Sequence, residues 1–173
     1  YVCEKLIESN FNLIATNTDS VTIHCEKNRI EECDALINSI GTQFGYEFEG
    51  ETFTELYFQH INSYIGKTDE GKIKQKGVFV YKKPLGDSVD ELIVPKALEA
   101  YFINKVRPET FIKAHTDIKD FCLSKKISKD YSVFWNGAKV QNLNRFYVSK
   151  KGAYLYKKKS RNLEHVLKGY AVQ

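Results

Sequence analysis

Phe11-Asn12-Leu13-Ile14-Ala15-Thr16-Asn17-Thr18-Asp19-Ser20-Val21-Thr22-Ile23-His24-Cys25 is the stretch on which the fold turns. Two short apolar or alternating runs, 11–15 and 21–25, flank a polar segment of the kind that closes two strands into a β-hairpin. Thr16 to Ser20 are therefore expected at a hairpin tip. Asn28 then reads as the start of a helix, with Glu31 three residues on as its capping-box partner. Ile30, Cys33, Ile37 and Ile40 give that helix an apolar stripe, and Gly41 is its expected end. A hairpin with a helix packed on it points to an α+β fold built on an antiparallel sheet.

Outward from this stretch the pattern continues. Tyr46 to Tyr57 is strand-like, rich in aromatic and acidic residues. A second hairpin is expected from Gln59–Ile65, a turn at Lys67-Thr68-Asp69-Glu70-Gly71, and a returning strand over 72–80. Lys72, Lys74 and Lys76 alternate along that strand, so they should share one face, with Ile73 on the other. Pro84 to Asp90 reads as a linker. Pro95 is placed as the first residue of a helix with the stripe Ala97, Leu98, Tyr101 and Phe102; a second helix is expected from Pro108, and a third after Thr116 with Ile118, Phe121 and Cys122. The chain should then return to β-structure. Ser132–Trp135 leads through Asn136-Gly137, the dipeptide favoured in type I′ turns, to Ala138–Gln141, and Arg145–Val148 with Ala153–Tyr156 should form a hairpin around Lys150-Lys151-Gly152. Phe134, Trp135, Phe146 and Tyr154 are expected in the core.

The 173 residues contain no methionine, although a complete translation product begins with one. The amphipathic run Cys3–Glu8 at the very start reads as the middle of an element, so the chain is expected to be a piece of a longer protein. Its composition is that of a globular protein, and no run approaches the roughly 18 apolar residues that a membrane span needs. Cys3, Cys25, Cys33 and Cys122 form no CxxC pair, which argues for reduced core thiols and a cytoplasmic setting rather than a zinc site.

The net charge of +4 conceals a stronger asymmetry. Up to Gly66 the chain carries three basic side chains against eleven acidic ones, net −8; beyond it, 23 basic face 11 acidic, net +12. An acidic site in the first part and a polyanion partner for the second are the expected consequences.

Asn17-Thr18-Asp19-Ser20 is the chemically suggestive element of the acidic part. A carboxylate held at the tip of two hydrogen-bonded strands yet facing solvent suits a hard divalent cation that keeps several waters. The same residue types also dominate ordinary turns, so on its own the tetrapeptide leaves both readings open. In the basic part, Lys72, Lys74 and Lys76 stand about 6.6 Å apart along one strand face and can track successive phosphates, or they can protect a solvated sheet edge. Tyr64 on the paired strand can pack on a nucleic-acid sugar or in a core. Arg145, Tyr147, Lys150 and Lys151, followed by Lys157, Lys158, Lys159 and Arg161, combine basic and aromatic side chains as backbone-tracking DNA surfaces do. His24, His60, His115 and His165 have no partner at ligand spacing and are assigned no role.

Taken in order, these elements resemble a family B DNA polymerase. Its motif C is commonly written YxDTDS on a β-hairpin, followed by a Lys-x-Tyr element, a glycine turn and a lysine-rich strand ending in Lys-Gly. Here Asn17-Thr18-Asp19-Ser20, Asn62-Ser63-Tyr64, Asp69-Glu70-Gly71-Lys72-Ile73-Lys74 and Lys76-Gly77 stand in that order. Leu92–Leu98 through Tyr101-Phe102, and later Gln141, Asn144 and Arg145–Ser149, are similar to the thumb of phage-type members. Two positions depart from the pattern: Asn17 replaces the family's first aspartate, and Asn62 replaces the lysine of Lys-x-Tyr.

The resemblance implies the C-terminal part of a polymerase palm over 1–85 and a thumb, mixed helical and β, over 86–173. It implies two-metal phosphoryl transfer from dNTP to a primer 3′-end, with Asp19 the surviving ligand shared by both Mg²⁺ ions. Tyr64, Lys72, Lys74, Lys76, Arg145, Tyr147, Lys150 and Lys151 would hold the primer-template duplex. Motifs A and B precede motif C in that family, so the chain would depend on upstream exonuclease, palm and fingers regions of the same polypeptide and would not polymerise DNA alone. The rival expectation is a non-catalytic nucleic-acid-binding module in which Asn17–Ser20 is only a turn. No membrane partner is expected under either.

Overall fold

The computed structural model describes residues 1–81 and 90–172. The chain is mixed α+β with antiparallel sheets, and it divides into two compact units, Tyr1–Gly77 and Val78–Gln173. Residues 84–89 of the expected linker, and with them the expected 85/86 boundary, lie outside the described residues.

The first unit opens with helix α1 (Val2–Glu8), followed by strands β1 (Asn12–Thr16) and β2 (Val21–His24), which form the expected hairpin. Leu13 pairs with Ile23 and Thr16 with Val21, and a bulge at Ile14 shifts the register between them. Helix α2 spans Ile30–Phe44 after a 3₁₀ turn at Lys27–Arg29. Asn28 therefore lies in that turn instead of capping the helix, and Arg29 takes the cap position without a side-chain cap bond. Arg29 does other work: its guanidinium lies 4.2 Å from the Phe11 ring centre, donates to the Ser9 and Asn10 carbonyls, and forms a fork with Glu32. The start of α2 is thus tied to the turn between α1 and β1. Leu6, Phe11 and Cys33 form the buried core here, with Leu13, Val21, Ile23, Leu36 and Ile37 packed around it.

Gly41 does not end α2. It is buried within the helix because the following chain folds back on it: Tyr46 N–H donates to its carbonyl, and Phe48 packs where a side chain would project. The helix ends at Gly45, whose φ of 72° is the left-handed cap conformation. Residues 46–52, expected as strand, are consumed in this return. Strand β3 begins only at Phe53 and runs to His60. Strands β4 (Ser63–Thr68) and β5 (Ile73–Lys76) complete a three-stranded antiparallel sheet, β3-β4-β5. The single strand expected over 59–65 is instead broken at residues 61–62, where Ser63 pairs back with His60 and its hydroxyl donates to Gln59. The second turn falls where expected, closed by Gly71 N–H to Thr68 O. The returning strand stops early, because Gly77, at φ 67°, turns the chain into a 3₁₀ segment at Gly77–Phe79.

In the second unit, helix α3 (Ile93–Phe102) begins two residues before Pro95. Its buried stripe is Ile93, Pro95, Ala97 and Ala100, while Tyr101 stays exposed. Helix α4 (Pro108–Ala114) has proline at its first position, as expected. The third helix is only a 3₁₀ turn at Ile118–Phe121, with Asp117 accepting from Lys119 N–H, because strand β6 (Leu123–Lys126) starts immediately after it. Strands β7 (Ser132–Trp135) and β8 (Ala138–Val140) join through Asn136-Gly137 at φ 50° and 76°, the two left-handed positions of a type I′ turn.

The expected hairpin around Lys150-Lys151-Gly152 is absent. Leu143–Lys159 is one long strand, β9, paired along its length with β10 (Asn162–Val172). Register jumps from Tyr154–Lys168 to Val148–Gly169, so residues 149–153 form a bulge in β9 rather than a chain reversal. Gly169 and Gly152 permit it, since a Cβ on either would overlap the facing backbone. The sheet order is β10-β9-β7-β8, with β6 also on β9. Ile127, Val133, Phe146 and Leu155 form the core on one face, with Trp135 packed against them. Phe134 and Tyr154, both expected in that core, lie on the other face, where Tyr154 is 46% exposed.

All four cysteines are free, and burial is the main cause that pushes the Cys33 and Cys122 thiols above their ordinary range. No helix among the described residues is long and apolar enough to cross a membrane.

Candidate functional site

The hairpin tip is built by its two strands. Thr16 pairs with Val21, and Asn17 N–H donates to Ser20 O at 2.8 Å, which leaves Asn17, Thr18, Asp19 and Ser20 exposed beyond the last ladder pair. Asp19 is thus carried by a closed turn and directed to solvent. The other side chains of the turn are the Asn17 amide and the Thr18 and Ser20 hydroxyls, whose oxygens are of the hard type that Mg²⁺ accepts alongside carboxylate and water. Among the described residues, no group of three or more His, Cys, Asp and Glu side chains is gathered to hold a metal. The tip therefore offers a single carboxylate, that of Asp19.

The lysine strand is shorter than expected. Lys74 and Lys76 lie within β5, opposite Gly66 and Tyr64 of β4, and so share a face with Tyr64; Lys72 stands just before the strand. Tyr64 is half-buried, wedged edge-on between Phe53 and Phe58 at ring distances of 6.4 and 5.9 Å. Its ring is held in place by neighbours on β3, which would present it to a ligand in one orientation.

Two of the lysines already have partners. Lys72 pairs with Glu70 at 2.6 Å and Lys74 with Glu51 at 2.5 Å, all partly exposed. The bond to Glu51 holds the Lys74 amine above its ordinary range. Such exposed pairs are weak and yield readily to a phosphate. Replacing Lys72, Lys74 and Lys76 together by alanine should flatten the log–log salt dependence of DNA binding by about 2.7, if each meets one phosphate. Glu51→Gln should instead tighten binding, since it removes a competitor for Lys74. Titrations over a range of NaCl concentrations check both, and an unchanged slope would reduce the lysines to surface solvation.

In the second unit, Arg145, Lys150 and Lys151 are exposed, the two lysines in the β9 bulge. Tyr147 is half-buried and lines a hollow of about 230 Å³ with His115, Thr116, Ile118 and Phe121. Arg145 therefore precedes the bulge while Lys150 and Lys151 lie within it, and Tyr147 faces a pocket instead of standing free.

Beside that hollow lies a cluster that the sequence did not reveal. Asp120 is 3% exposed, and one of its oxygens, Oδ2, lies 2.6 Å from both Lys96 Nζ and His115 Nε2. Burial raises the pKa of the carboxyl, but the hydrogen bonds from Lys96 and His115 outweigh burial and hold it below its ordinary value. His115 also stacks on Phe111 at 5.5 Å. Lys96 comes from α3 and the other two from the region after α4, so only the folded second unit brings them together. His165, also given no role, stacks on Tyr154 at 4.6 Å.

No family model matches the chain, and neither a curated protein nor a solved structure is found that matches it.

Proposed function

We propose that this chain is the C-terminal palm segment and thumb of a family B DNA-directed DNA polymerase, working in the cytoplasm on a primer-template duplex and dNTP. The observation that carries the proposal is the exposed Asp19 at the closed tip of the β1–β2 hairpin, in a turn that reads Asn17-Thr18-Asp19-Ser20. The order of elements after it adds support: Tyr64, Lys74 and Lys76 share one sheet face, and a second, basic unit follows.

Asp19 would provide the carboxylate shared by two Mg²⁺ ions, with the complementary aspartate and the triphosphate-gripping helix coming from upstream polypeptide. The ions, when bound, would lower the pKa of the primer 3′-hydroxyl and neutralise charge on the triphosphate. The hairpin's part is rigidity, since a tip carried on paired strands keeps its carboxylate in place without reorganisation. Lys72, Lys74 and Lys76 would follow primer-strand phosphates beside Tyr64, and Arg145, Tyr147, Lys150 and Lys151 would also hold the duplex. Contacts of this kind are insensitive to sequence, as copying any template requires.

A non-catalytic nucleic-acid-binding module is the second reading, favoured by the Asn17 N–H to Ser20 O bond, which closes Asn17–Ser20 as an ordinary polar turn does. Primer extension by a polypeptide that also carries the upstream motifs, with Asp19 intact or replaced by alanine, separates the two. The first reading expects extension to be lost with DNA binding retained; the second expects no extension from either protein.

A further inference from the structure

The second unit's sheet has one face on the core and one face that packs on no described element of that core. Strand pairing places Lys139, Phe134, Tyr156 and His165 in register across β8, β7, β9 and β10, and Tyr154 opposite Lys168 one step along. The rings form a continuous row: Phe134 stacks on Tyr156 at 5.4 Å and 13°, Tyr156 meets His165 at 6.4 Å, and His165 stacks on Tyr154 at 4.6 Å and 17°. Lys168 closes the row, with its amine 5.5 Å from the Tyr154 ring centre. Core residues Val133 and Leu155 alternate with these positions and point the other way.

Charge separates the two faces as well. Lys157 and Lys159, in alternation with the row, have carboxylate partners in Glu164 and Asp130. Lys139, Lys158 and Lys168 have none among the described residues, and register places no acidic residue in the rows that hold them. The face is aromatic in the middle, cationic at its margins and free of acid.

We infer that this face binds single-stranded nucleic acid, with bases packed against the Phe134–Tyr156–His165–Tyr154 row and phosphates on Lys139, Lys158 and Lys168. A duplex hides its bases and would meet only the lysines, whereas an unpaired strand offers both bases and phosphates. A flat sheet with two or three accessible rings accommodates roughly two or three bases. The site shares no residue with the duplex contacts proposed above, and it operates whether or not Asp19 supports catalysis.

The test uses the 173-residue chain itself and a short labelled oligothymidylate, followed by fluorescence anisotropy with unlabelled single strand or duplex as competitor. The single strand should compete better than the duplex. Tyr154→Ala and His165→Ala should each weaken binding about tenfold, while Tyr154→Phe, which keeps the ring, stays near the parent. Lys158→Gln with Lys168→Gln should reduce the salt slope by about 1.4 and leaves the rings in place should an alanine variant lose its fold. No binding of the oligothymidylate, equal competition by duplex, or affinity and salt slope unmoved by the ring and lysine changes would each overturn the proposal.

Discussion

Asp120→Ala should destabilise the second unit by about 3 kcal/mol, the order seen when one partner is removed from a buried charge cluster. Asp120 is nearly inaccessible and one oxygen serves both Lys96 and His115, so its removal leaves a partly buried ammonium and an imidazole without their shared acceptor. In a unit of this size the thermal midpoint should fall by roughly 10 °C or more. Asp120→Asn should cost less, since an amide oxygen still accepts a hydrogen bond. The pH dependence has a defined sign. The carboxyl is held below its ordinary pKa in the folded protein, so its contribution is complete above the unfolded value of about 3.9 and is lost as pH falls through and below that value. Denaturant titrations should therefore show the advantage of the parent over Asp120→Asn shrinking below about pH 4. An advantage that grows in acid would mean that Asp120 is protonated in the native state.

What could be read in advance was what local chemistry decides. The β1–β2 hairpin follows from its two apolar runs and polar tip, the β7–β8 turn from Asn136-Gly137, and the start of α4 from Pro108. Structure and local pattern part where a distant partner overrides a local signal. Gly41 looks like a helix stop, but Tyr46 and Phe48 fold onto it, and the left-handed cap is needed four residues later. Lys150-Lys151-Gly152 has the composition of a turn. The facing Gly169 converts it into a bulge in a strand that continues to Lys159, and β10 itself, interrupted by charges, gave no strand pattern.

The same division governs the sites. The exposed place of Asp19 follows from the sequence because a hairpin tip is a local object. Asp120 finds Lys96 across 24 positions and the stacked row draws on three strands, so neither could be assembled without the register of the folded sheet. His165 lacked a partner in the sequence because its neighbours, Tyr154 and Tyr156, reach it only across the β9–β10 pairing.

On the polymerase reading, Asn17 stands where the family's motif carries its first aspartate. On that reading, Asn17→Asp adds a second carboxylate to the same turn and should lower the Mg²⁺ concentration needed for half-maximal extension; a higher requirement would place residue 17 outside the ion site.

The central claim rests on Asp19. Its carboxylate would hold ions that supply several kcal/mol of transition-state charge stabilisation, and each 1.36 kcal/mol is tenfold in rate. The direct measurement is single-turnover primer extension in Mg²⁺ by the polypeptide with its upstream motifs, compared with the same protein carrying Asp19→Ala, with duplex affinity measured in parallel. The account predicts a fall of about 10³-fold or more in the extension rate at unchanged duplex affinity. Extension at the parent rate by the Asp19→Ala protein would contradict it.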